Sequence, residues 1–393
     1  MNLNLSNIDK YVYSNKFNHI YLYGPVTPVS VKNISAEISE LNKRNSINGV
    51  YIKPPAIILH INSPGGSLYH GLSLVETINK SSIPIITYVE GIAASAASAI
   101  LLASPYRIIA PYGTVLIHQL SSGMNGKYED LKFNQEINDK LMEIMEKYYL
   151  SKTKLKKNNL KELLFRDLFL DASECLKYGF VNKILKKTKK DFHKRYFIKN
   201  PEYLLKTEIL LKKTNFNNLY FYGKNNDENV CYNNRKTFGL QYMLSFDSSN
   251  KNTNSLTNIR TPKPILLHIS ENLEMKNIYE LLPIINTTSI AKIPIYSIIK
   301  SPTNEKTILY SVLCYKRFIT KNSLVSIDFN ELKDYSNKHN NKIKNVSFMR
   351  NIIKNIFIEY TKLPKNILDN LFTKKFLFNP KECIKYGICD EII

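Results

Sequence analysis

The chain has 393 residues, of which 44% are apolar and 11% aromatic, a composition that favours folded cores and excludes an intrinsically disordered polymer. This length exceeds what one core usually fills, so it predicts two domains. Lysine and arginine outnumber aspartate and glutamate by 55 to 33, but the cations are scattered without interleaved aromatic residues. We therefore expect no nucleic-acid partner.

Neither the cysteines nor residues 1–17 show a motif for metal binding, disulfide formation or targeting. The five cysteines form no CxxC pair and lack a histidine at metal-ligand spacing, which predicts no disulfide framework, no metal and no cofactor. Residues 1–17 show neither a basic region followed by an apolar stretch nor a long Ser/Arg-rich presequence. We expect no cleaved targeting signal.

Short apolar runs alternate with longer helical patterns in the first half. Ile57–Ile61 and Ile83–Val89 have the length and flanking turns of strands, and Ile137–Tyr148 carries apolar residues at helical spacing. Glu90, Gly91 and three serines interrupt the apolar stretch Ile83–Ala103, which therefore predicts a buried strand followed by a helix, not a membrane span. The alternation is typical of βαβ units around a parallel sheet.

A glycine pair follows the first of these strands, in INSPGGS at 61–67. Glycines there allow the backbone to approach a ligand closely and to point an N–H into a cleft. A tight strand-to-helix turn requires glycine as well, so the motif alone is of moderate specificity.

A serine follows the second strand, in GIAASAAS at 91–98. Ser95 is predicted at the start of a helix, where free N–H groups and the helix dipole favour a developing oxyanion. The alternative for an isolated serine is an N-cap or a small packing residue.

A histidine and a carboxylate complete the set of candidate residues. His118 ends an apolar strand in VLIHQ at 115–119, although a lone histidine there is more often structural. Asp167, in FRDLFLDASE, has apolar neighbours, so we expect it to be partly buried and to need a partner such as an imidazole N–H. The alternative is a helix cap, a role for which Asp171 and Ser173 are better placed.

The chain contains an internal duplication. HIYLYG at 19–24 recurs as NLYFYG at 218–223, PPAIILHIN at 54–62 as PKPILLHIS at 262–270, and ECLKYG at 174–179 as ECIKYG at 382–387. We predict a first domain at 1–190, a basic linker at 191–216 and a second domain at 217–393. Extra residues of the second copy are expected in a loop within Asp247–Arg260.

The order of the glycine pair, serine, histidine and aspartate resembles the Clp protease proteolytic subunit (ClpP) family, strongly over residues 17–190 and weakly over 217–393. The resemblance implies an α/β fold, a spiral of βαβ units shared with the crotonase family, here in two tandem copies. Residue by residue, Ser95 matches the nucleophile, His118 the general base and Asp167 the acid. The backbone N–H groups of Gly66 and Ala96 match the oxyanion hole.

The same resemblance implies an ATP-dependent serine endopeptidase that cleaves unfolded polypeptides delivered by a Clp ATPase. The helix Ile137–Tyr148 resembles the handle helix through which rings of seven subunits stack, so other Clp proteolytic subunits are expected partners. The sequence departs from the family before the first strand, where nothing resembles the segment of the axial pore loops, and docking to the ATPase is expected to be affected. The glycine-rich stretch after the histidine is reduced to SSGMNGK at 121–127.

The second half lacks the catalytic residues. Aligned on the repeats, Ser95 faces Glu305, His118 faces Asp328, Asp167 faces Lys375, and the glycine pair becomes Leu273 and Glu274. No acyl transfer can proceed on that set. A degenerate unit retained for assembly, similar to the inactive subunits of some Clp rings, is the expected role.

Two other functions remain open from the sequence. One is a catalytically inactive structural subunit of a Clp ring, and the other is a crotonase-type acyl-CoA enzyme, which would not need the Ser–His–Asp set. The signal-peptide peptidase family shares the duplicated plan but pairs serine with lysine and has a membrane anchor. Composition and the divergent duplication resemble a plastid-encoded protein, so the plastid stroma is the expected compartment, with the cytoplasm as the alternative.

Overall fold

The computed structural model divides into two compact units. The first contains Asn18–Ile184, and the second contains Leu185–Ile393 together with Ile8, Val12 and Phe17. The N–H of Thr188 donates to the carbonyl of Ser289 within the second unit (2.7 Å). The structure describes residues 8, 12, 17–43, 46–47, 50–51, 55–167, 169–188, 217–221, 264–269, 282–291, 293–332 and 340–393.

Strands and helices alternate along the first unit. Its strands are β1 Asn18–Tyr23, β2 Ser46–Ile47, β3 Val50–Tyr51, β4 Ile57–Ser63, β5 Ile85–Ala94, β6 Tyr106–Ile109, β7 Thr114–Leu116, β8 Phe169–Leu170 and β9 Lys183–Ile184. Its helices are α1 Pro28–Lys43, α2 Leu68–Asn79, α3 Ala96–Ala103, α4 Tyr128–Lys152, α5 Lys157–Arg166 and α6 Ala172–Lys177. The predicted α/β class is confirmed.

The main sheet of the first unit is parallel, in the order β1-β4-β5-β6-β9. Strand β7 pairs with the carboxyl end of β5 in parallel and with β8 in antiparallel, while β2 and β3 form a separate hairpin. Strand β4 covers the predicted strand Ile57–Ile61, and β5 begins two residues after the start of the predicted strand Ile83–Val89 and is followed by helix α3, as predicted. Both motifs, INSPGGS and GIAASAAS, therefore lie at the carboxyl edge of neighbouring parallel strands.

The core of the first unit lies between one face of this sheet and helices α1 to α3. Ile57, Leu59 and Ile61 of β4 are fully buried on that face. Burying such a side chain stabilises the fold by about 1.5–3 kcal/mol relative to leaving it exposed. Helix α3 is buried on all sides, since its residues are alanines, aliphatic residues and one serine. Such a helix fixes the position of the turn that precedes it.

Helix α4 is the longest helix of the first unit and packs on it only near its carboxyl end. Met145 and Tyr149 are its buried residues, whereas Tyr128, Phe133 and Ile144 are exposed. The predicted helix at Ile137–Tyr148 is confirmed and extends further in both directions. The last turns of α4 thus anchor the helix to the core, while much of its remaining length is exposed.

The second unit repeats the alternation of strands and helices. Its strands are β10 Asn217–Phe221, β11 Ile265–Ile269, β12 Ile295–Ile299, β13 Lys316–Ile319, β14 Val325–Ile327, β15 Phe376–Phe378 and β16 Glu391–Ile392. Its helices are α7 Leu282–Ile290, α8 Glu305–Ser311, α9 Asn340–Tyr360, α10 Lys365–Asp369 and α11 Pro380–Lys385, with a 3-10 turn at Asn330–Leu332. The longest of these helices is α9, with 21 residues.

Strand order in the second unit is β10-β11-β12-β13-β16, all parallel, with an antiparallel pair β14-β15 beside it. The parallel sheet of the first unit has the same arrangement, because its strands β1, β4, β5, β6 and β9 also lie side by side in the order in which they occur along the chain. Its β7-β8 pair is also antiparallel. Helices α6 and α11 each begin with a capping box. Each is followed closely by a glycine with positive φ, Gly179 (77°) after α6 and Gly387 (63°) after α11.

Several sequence predictions concern residues outside the described part. These are the linker at 191–216, the loop Asp247–Arg260, Leu273 with Glu274, and Cys231. The other four cysteines are buried and form no disulfide among the described residues. Over the residues that the structure describes, no helix is both long enough and apolar enough to cross a membrane.

Candidate active site

Ser95 occupies a sharp turn between strand β5 and helix α3. Its backbone has φ 55° and ψ −125°, a region that costs a non-glycine residue about 1–3 kcal/mol. The N–H of Ser95 donates to the carbonyl of Leu116 on β7 (2.9 Å), which ties the turn to the neighbouring strand. Such a strained strand-to-helix turn exposes a side-chain hydroxyl above the end of a sheet.

The glycine pair packs directly against this turn. A Cβ on Gly65 would lie 2.5 Å from the carbonyl oxygen of Ala94 and 2.6 Å from the Cβ of Ser95. Gly66 has φ 147° and pairs with Val26, and a Cβ there would lie 2.4 Å from the Val26 carbonyl oxygen. Only glycine fits at either position.

Two backbone N–H groups border the hydroxyl. Ala96 begins helix α3, and the first N–H groups of a helix have no acceptor within it. The bridge between Val26 and Gly66 uses the N–H groups of Val26 and Ser67, so the N–H of Gly66 takes no part in it. Both predicted oxyanion donors therefore flank the same turn.

His118 follows strand β7 by two residues and is half-buried. Strand β7 pairs with β5 so that Leu116 lies beside Ala94, the residue before Ser95. The next residue, Gln119, donates its N–H to the carbonyl of Leu164 on α5 (3.0 Å), which fixes the segment around the imidazole. Sheet pairing thus brings His118 to the end of β5.

Asp167 caps the carboxyl end of α5 in a left-handed conformation, with φ 48° and ψ 47°. Strand β8 begins two residues after Asp167 and pairs with β7 through Phe169 and Leu116, so Asp167 precedes the strand that lies beside the one leading to His118. Its side chain is exposed, however, which corrects the expectation of a partly buried carboxylate. The left-handed cap turns this residue to solvent although its neighbours are apolar.

Four of the five predicted residues line one cavity of about 390 Å³: Ser95, His118, Gly66 and Ala96. Asp167 is not among the residues that line it. Within the described residues, neither the hydroxyl of Ser95 nor the ring of His118 makes a hydrogen bond. The apolar part of the lining includes aliphatic and methionine side chains, Leu68, Leu120, Leu141, Met142, Met145 and Leu164, together with Pro64 and the rings of Tyr69 and Tyr149.

The cavity carries no carboxylate or ammonium group among its described lining residues. Ser67, Ser121, Ser122, Gln119 and Asn138 supply neutral polar groups beside the apolar ones. A neutral, largely apolar cavity strengthens the interaction between backbone N–H groups and any negative charge that develops there. Chemically, the arrangement is suited to transfer of an acyl group to a hydroxyl.

Comparison with known proteins identifies the family. A Clp protease family profile matches residues 4–188. An ATP-dependent Clp protease proteolytic subunit of Streptococcus mutans is 32% identical over 170 residues, which cover 42% of this chain and 83% of that protein. The chain belongs to the Clp protease family. A second such subunit, from Deinococcus radiodurans, is 29% identical over 174 residues, 44% of this chain and 82% of that protein.

The match to Clp protease subunits lies in the first unit, and the second unit presents other residues at the corresponding places. Counted from the helix start, Asn304, the N-cap of α8, occupies the place of Ser95, one residue before Glu305. Counted from the antiparallel strand pair, Phe329 and Lys374 replace His118 and Asp167. With either alignment, the described residues of the second unit do not place a hydroxyl, an imidazole and a carboxylate at these three positions.

Sequence reasoning missed two hydroxyl groups behind the turn of this Clp protease chain. Ser98 is three residues after Ser95, and Tyr149 lies on α4 four residues after Met145 and eight after Leu141. The predicted helix ended at Tyr148, and nothing in the sequence indicated that the next residue meets helix α3. Their contacts are described below.

Proposed function

We propose that the first unit is a serine peptidase that cleaves peptide bonds of unfolded polypeptides through an acyl-enzyme on Ser95. The observation that carries the proposal is the strained turn at Ser95 on a cavity shared with His118 and with the N–H groups of Gly66 and Ala96. A backbone conformation of this cost persists only where the surroundings hold it, and such strain clusters at catalytic turns. Both relatives described above are Clp protease proteolytic subunits, which agrees with this chemistry.

The proposed reaction has two halves. His118 takes the hydroxyl proton as the Oγ of Ser95 bonds to the peptide carbonyl carbon, and the N–H groups of Gly66 and Ala96 donate hydrogen bonds to the negatively charged oxygen that forms. The C–N bond then breaks while His118 returns the proton to the leaving amine. In the second half, water attacks the ester with His118 as base, which releases the acid and restores Ser95.

Asp167 is proposed as the group that orients His118. Support comes from the pairing of β7 with β8, since His118 follows β7 by two residues and Asp167 precedes β8 by two. A rotation of the exposed side chain towards the imidazole would bring it into that role, since catalytic hydrogen bonds often tighten only in the substrate complex. The carboxylate would hold the tautomer in which the Nε2 of His118 faces the hydroxyl.

The same family membership supports a proposal about assembly. We propose that the chain joins other Clp proteolytic subunits in a ring and receives substrate from a Clp ATPase, with the second unit as a degenerate copy kept for assembly. The common strand order of the two sheets and the shared capping box with its glycine support a duplicated origin. The plastid stroma remains our proposal for the compartment.

The proposal is tested with a fluorogenic unfolded polypeptide and the full chain. We expect hydrolysis by the wild type, loss of hydrolysis in Ser95→Ala and in His118→Gln, and unchanged hydrolysis in Ser73→Ala, a matched control on the exposed face of α2. Wild-type protein that is folded and assembled but inactive would favour the inactive structural subunit instead. Hydrolysis that survives Ser95→Ala would contradict the mechanism.

A further inference from the structure

Two buried hydroxyl groups stand in line behind the turn at Ser95. The Oγ of Ser98 lies 2.6 Å from the carbonyl oxygen of Ser95, and the hydroxyl oxygen of Tyr149 lies 2.8 Å from the Oγ of Ser98. Ser98 is fully buried and Tyr149 is 3% exposed. A side chain of the long helix α4 is thus linked through one serine to the backbone of the proposed nucleophile.

The direction of the two hydrogen bonds follows from the count of protons. A carbonyl oxygen only accepts, so Ser98 donates its single hydroxyl proton to Ser95. Tyr149 must then donate to Ser98. Burial raises the pKa of Tyr149 to about 12, so its hydroxyl retains its proton near neutral pH.

The Ser95 carbonyl is held by a second donor as well. The N–H of Ser98 donates to the same oxygen at 2.9 Å. A peptide unit is planar and trans, so fixing the oxygen of Ser95 also fixes the direction of the N–H of Ala96 on the other side of that bond. This N–H is one of the two proposed oxyanion donors.

We propose that Tyr149 and Ser98 are positioning residues that hold the Ser95–Ala96 peptide plane and so aim the N–H of Ala96 at the developing oxyanion. The role rests on the proposed peptidase function. Neither residue touches the reacting atoms; they act through the backbone. Oxyanion stabilisation depends on donors that are oriented before the reaction, so a loosened plane lowers the rate of acyl transfer more than it weakens substrate binding.

The neighbouring tyrosine provides a matched control. Tyr148 also lies in the last turns of α4, and its hydroxyl donates to the carbonyl of Ala99 at 3.0 Å. It therefore anchors α4 to α3 just as Tyr149 does, but not through the Ser95 carbonyl. Tyr148→Phe reports the effect of losing one hydroxyl between these helices.

The experiment compares Tyr149→Phe, Ser98→Ala, their double variant and Tyr148→Phe in the full chain, with fluorogenic peptide hydrolysis and amide hydrogen exchange of the segment 94–98. Loss of a whole oxyanion donor costs about 10²–10³-fold in kcat, so a donor that is only misaimed is expected to cost about tenfold. We expect that fall in kcat with little change in KM for Tyr149→Phe and Ser98→Ala. The double variant should be no slower than Ser98→Ala, because both act through one chain.

Amide exchange gives a result that does not need activity. Exchange of the segment should rise in Tyr149→Phe and Ser98→Ala and stay at the wild-type rate in Tyr148→Phe. Equal effects in Tyr148→Phe, or kcat and exchange within twofold of wild type in Tyr149→Phe, would overturn the inference. If the wild type shows no Ser95-dependent hydrolysis, the peptidase proposal fails, and the exchange rates alone decide whether these hydroxyls hold the peptide plane.

Discussion

At the scale of single residues, the turn at Ser95 depends on the missing side chain of Gly65. The two residues approach so closely that even a methyl group would overlap with the Ser95 Cβ and the Ala94 carbonyl. Gly24 provides a comparison, since it has a similar φ (96° against 90°) with nothing within 4 Å of its would-be Cβ. A side chain at either glycine would strain the backbone, but only at Gly65 would it also overlap with neighbouring atoms.

We predict that Gly65→Ala lowers the rate of Ser95 modification by a fluorophosphonate at least tenfold, because the added methyl displaces the turn. Gly24→Ala should lower the melting temperature through its unfavourable φ, by a free energy of about 1 kcal/mol, and leave the modification rate near wild type. Measuring the rate of fluorophosphonate modification and the thermal unfolding of the two variants tests this prediction. A Gly65→Ala protein that reacts as fast as wild type would show that the glycine contact does not shape the site.

His268 on β11 leads to a prediction about pH. Burial, followed by the nearby Lys300 cation, lowers its pKa to about 4. The unfolded chain binds the proton at about pH 6.5, so as pH falls the proton favours the unfolded state. This contribution to the stability of the second unit is present above about pH 6.5 and is lost as pH falls towards 4.

The measurement is thermal unfolding of the full chain and of His268→Gln between pH 7 and 4. The wild-type melting temperature of the second unit should fall more steeply with pH than that of the variant, whatever the difference at pH 7. His70→Gln, a substitution in the first unit, should keep the wild-type slope for the second unit. Parallel slopes in wild type and His268→Gln would refute the assignment.

At the scale of helices and strands, local sequence patterns predicted where these elements form, but not whether the residues at their ends face the core or the solvent. The β-branched runs predicted β4 and β5, and the small-residue run after β5 predicted α3, because period and composition are local properties. Asp167 was expected to be partly buried from its apolar neighbours, yet it is exposed at the left-handed cap of α5. Contacts between distant segments, such as Tyr149 on Ser98, have no local pattern.

Arg317 joins three segments of the second unit, and the structure predicts a large cost for its loss. Its side chain is 3% exposed, with Nε and Nη2 donating to Asp390 at 2.9 and 2.7 Å and Nη1 to the carbonyl of Tyr360 at 2.9 Å. Arg317→Met leaves a carboxylate and a carbonyl without these donors, which should cost about 3–5 kcal/mol.

Lys316 provides the control for this prediction. Its ammonium lies 2.7 Å from Glu391, but both side chains are more than one third exposed. Lys316→Ala should therefore cost at most about 1 kcal/mol. Amide exchange during urea unfolding distinguishes the units, since a chain of two units need not unfold in one step. Equal losses in the two variants would contradict the importance assigned to burial.

At the scale of the whole molecule, the chain combines one unit that carries a candidate catalytic set with one whose described residues lack it. Both sheets have the same strand order, so the difference lies in the residues at the ends of the strands. If the second unit serves assembly, Arg317→Met should reduce the size of the native particle, whereas Lys316→Ala should preserve it. Mass measurement of the intact particle checks this, and an unchanged particle in Arg317→Met despite an unfolded second unit would exclude an assembly role.

Native mass spectrometry after reaction with a fluorophosphonate tests the central claim most directly. A nucleophilic hydroxyl, activated by His118 and faced by two N–H groups, should take up one probe per chain, with peptide mapping to Ser95 and no uptake in Ser95→Ala. Folded wild-type protein that takes up no probe, or takes it up at another residue, would contradict the account.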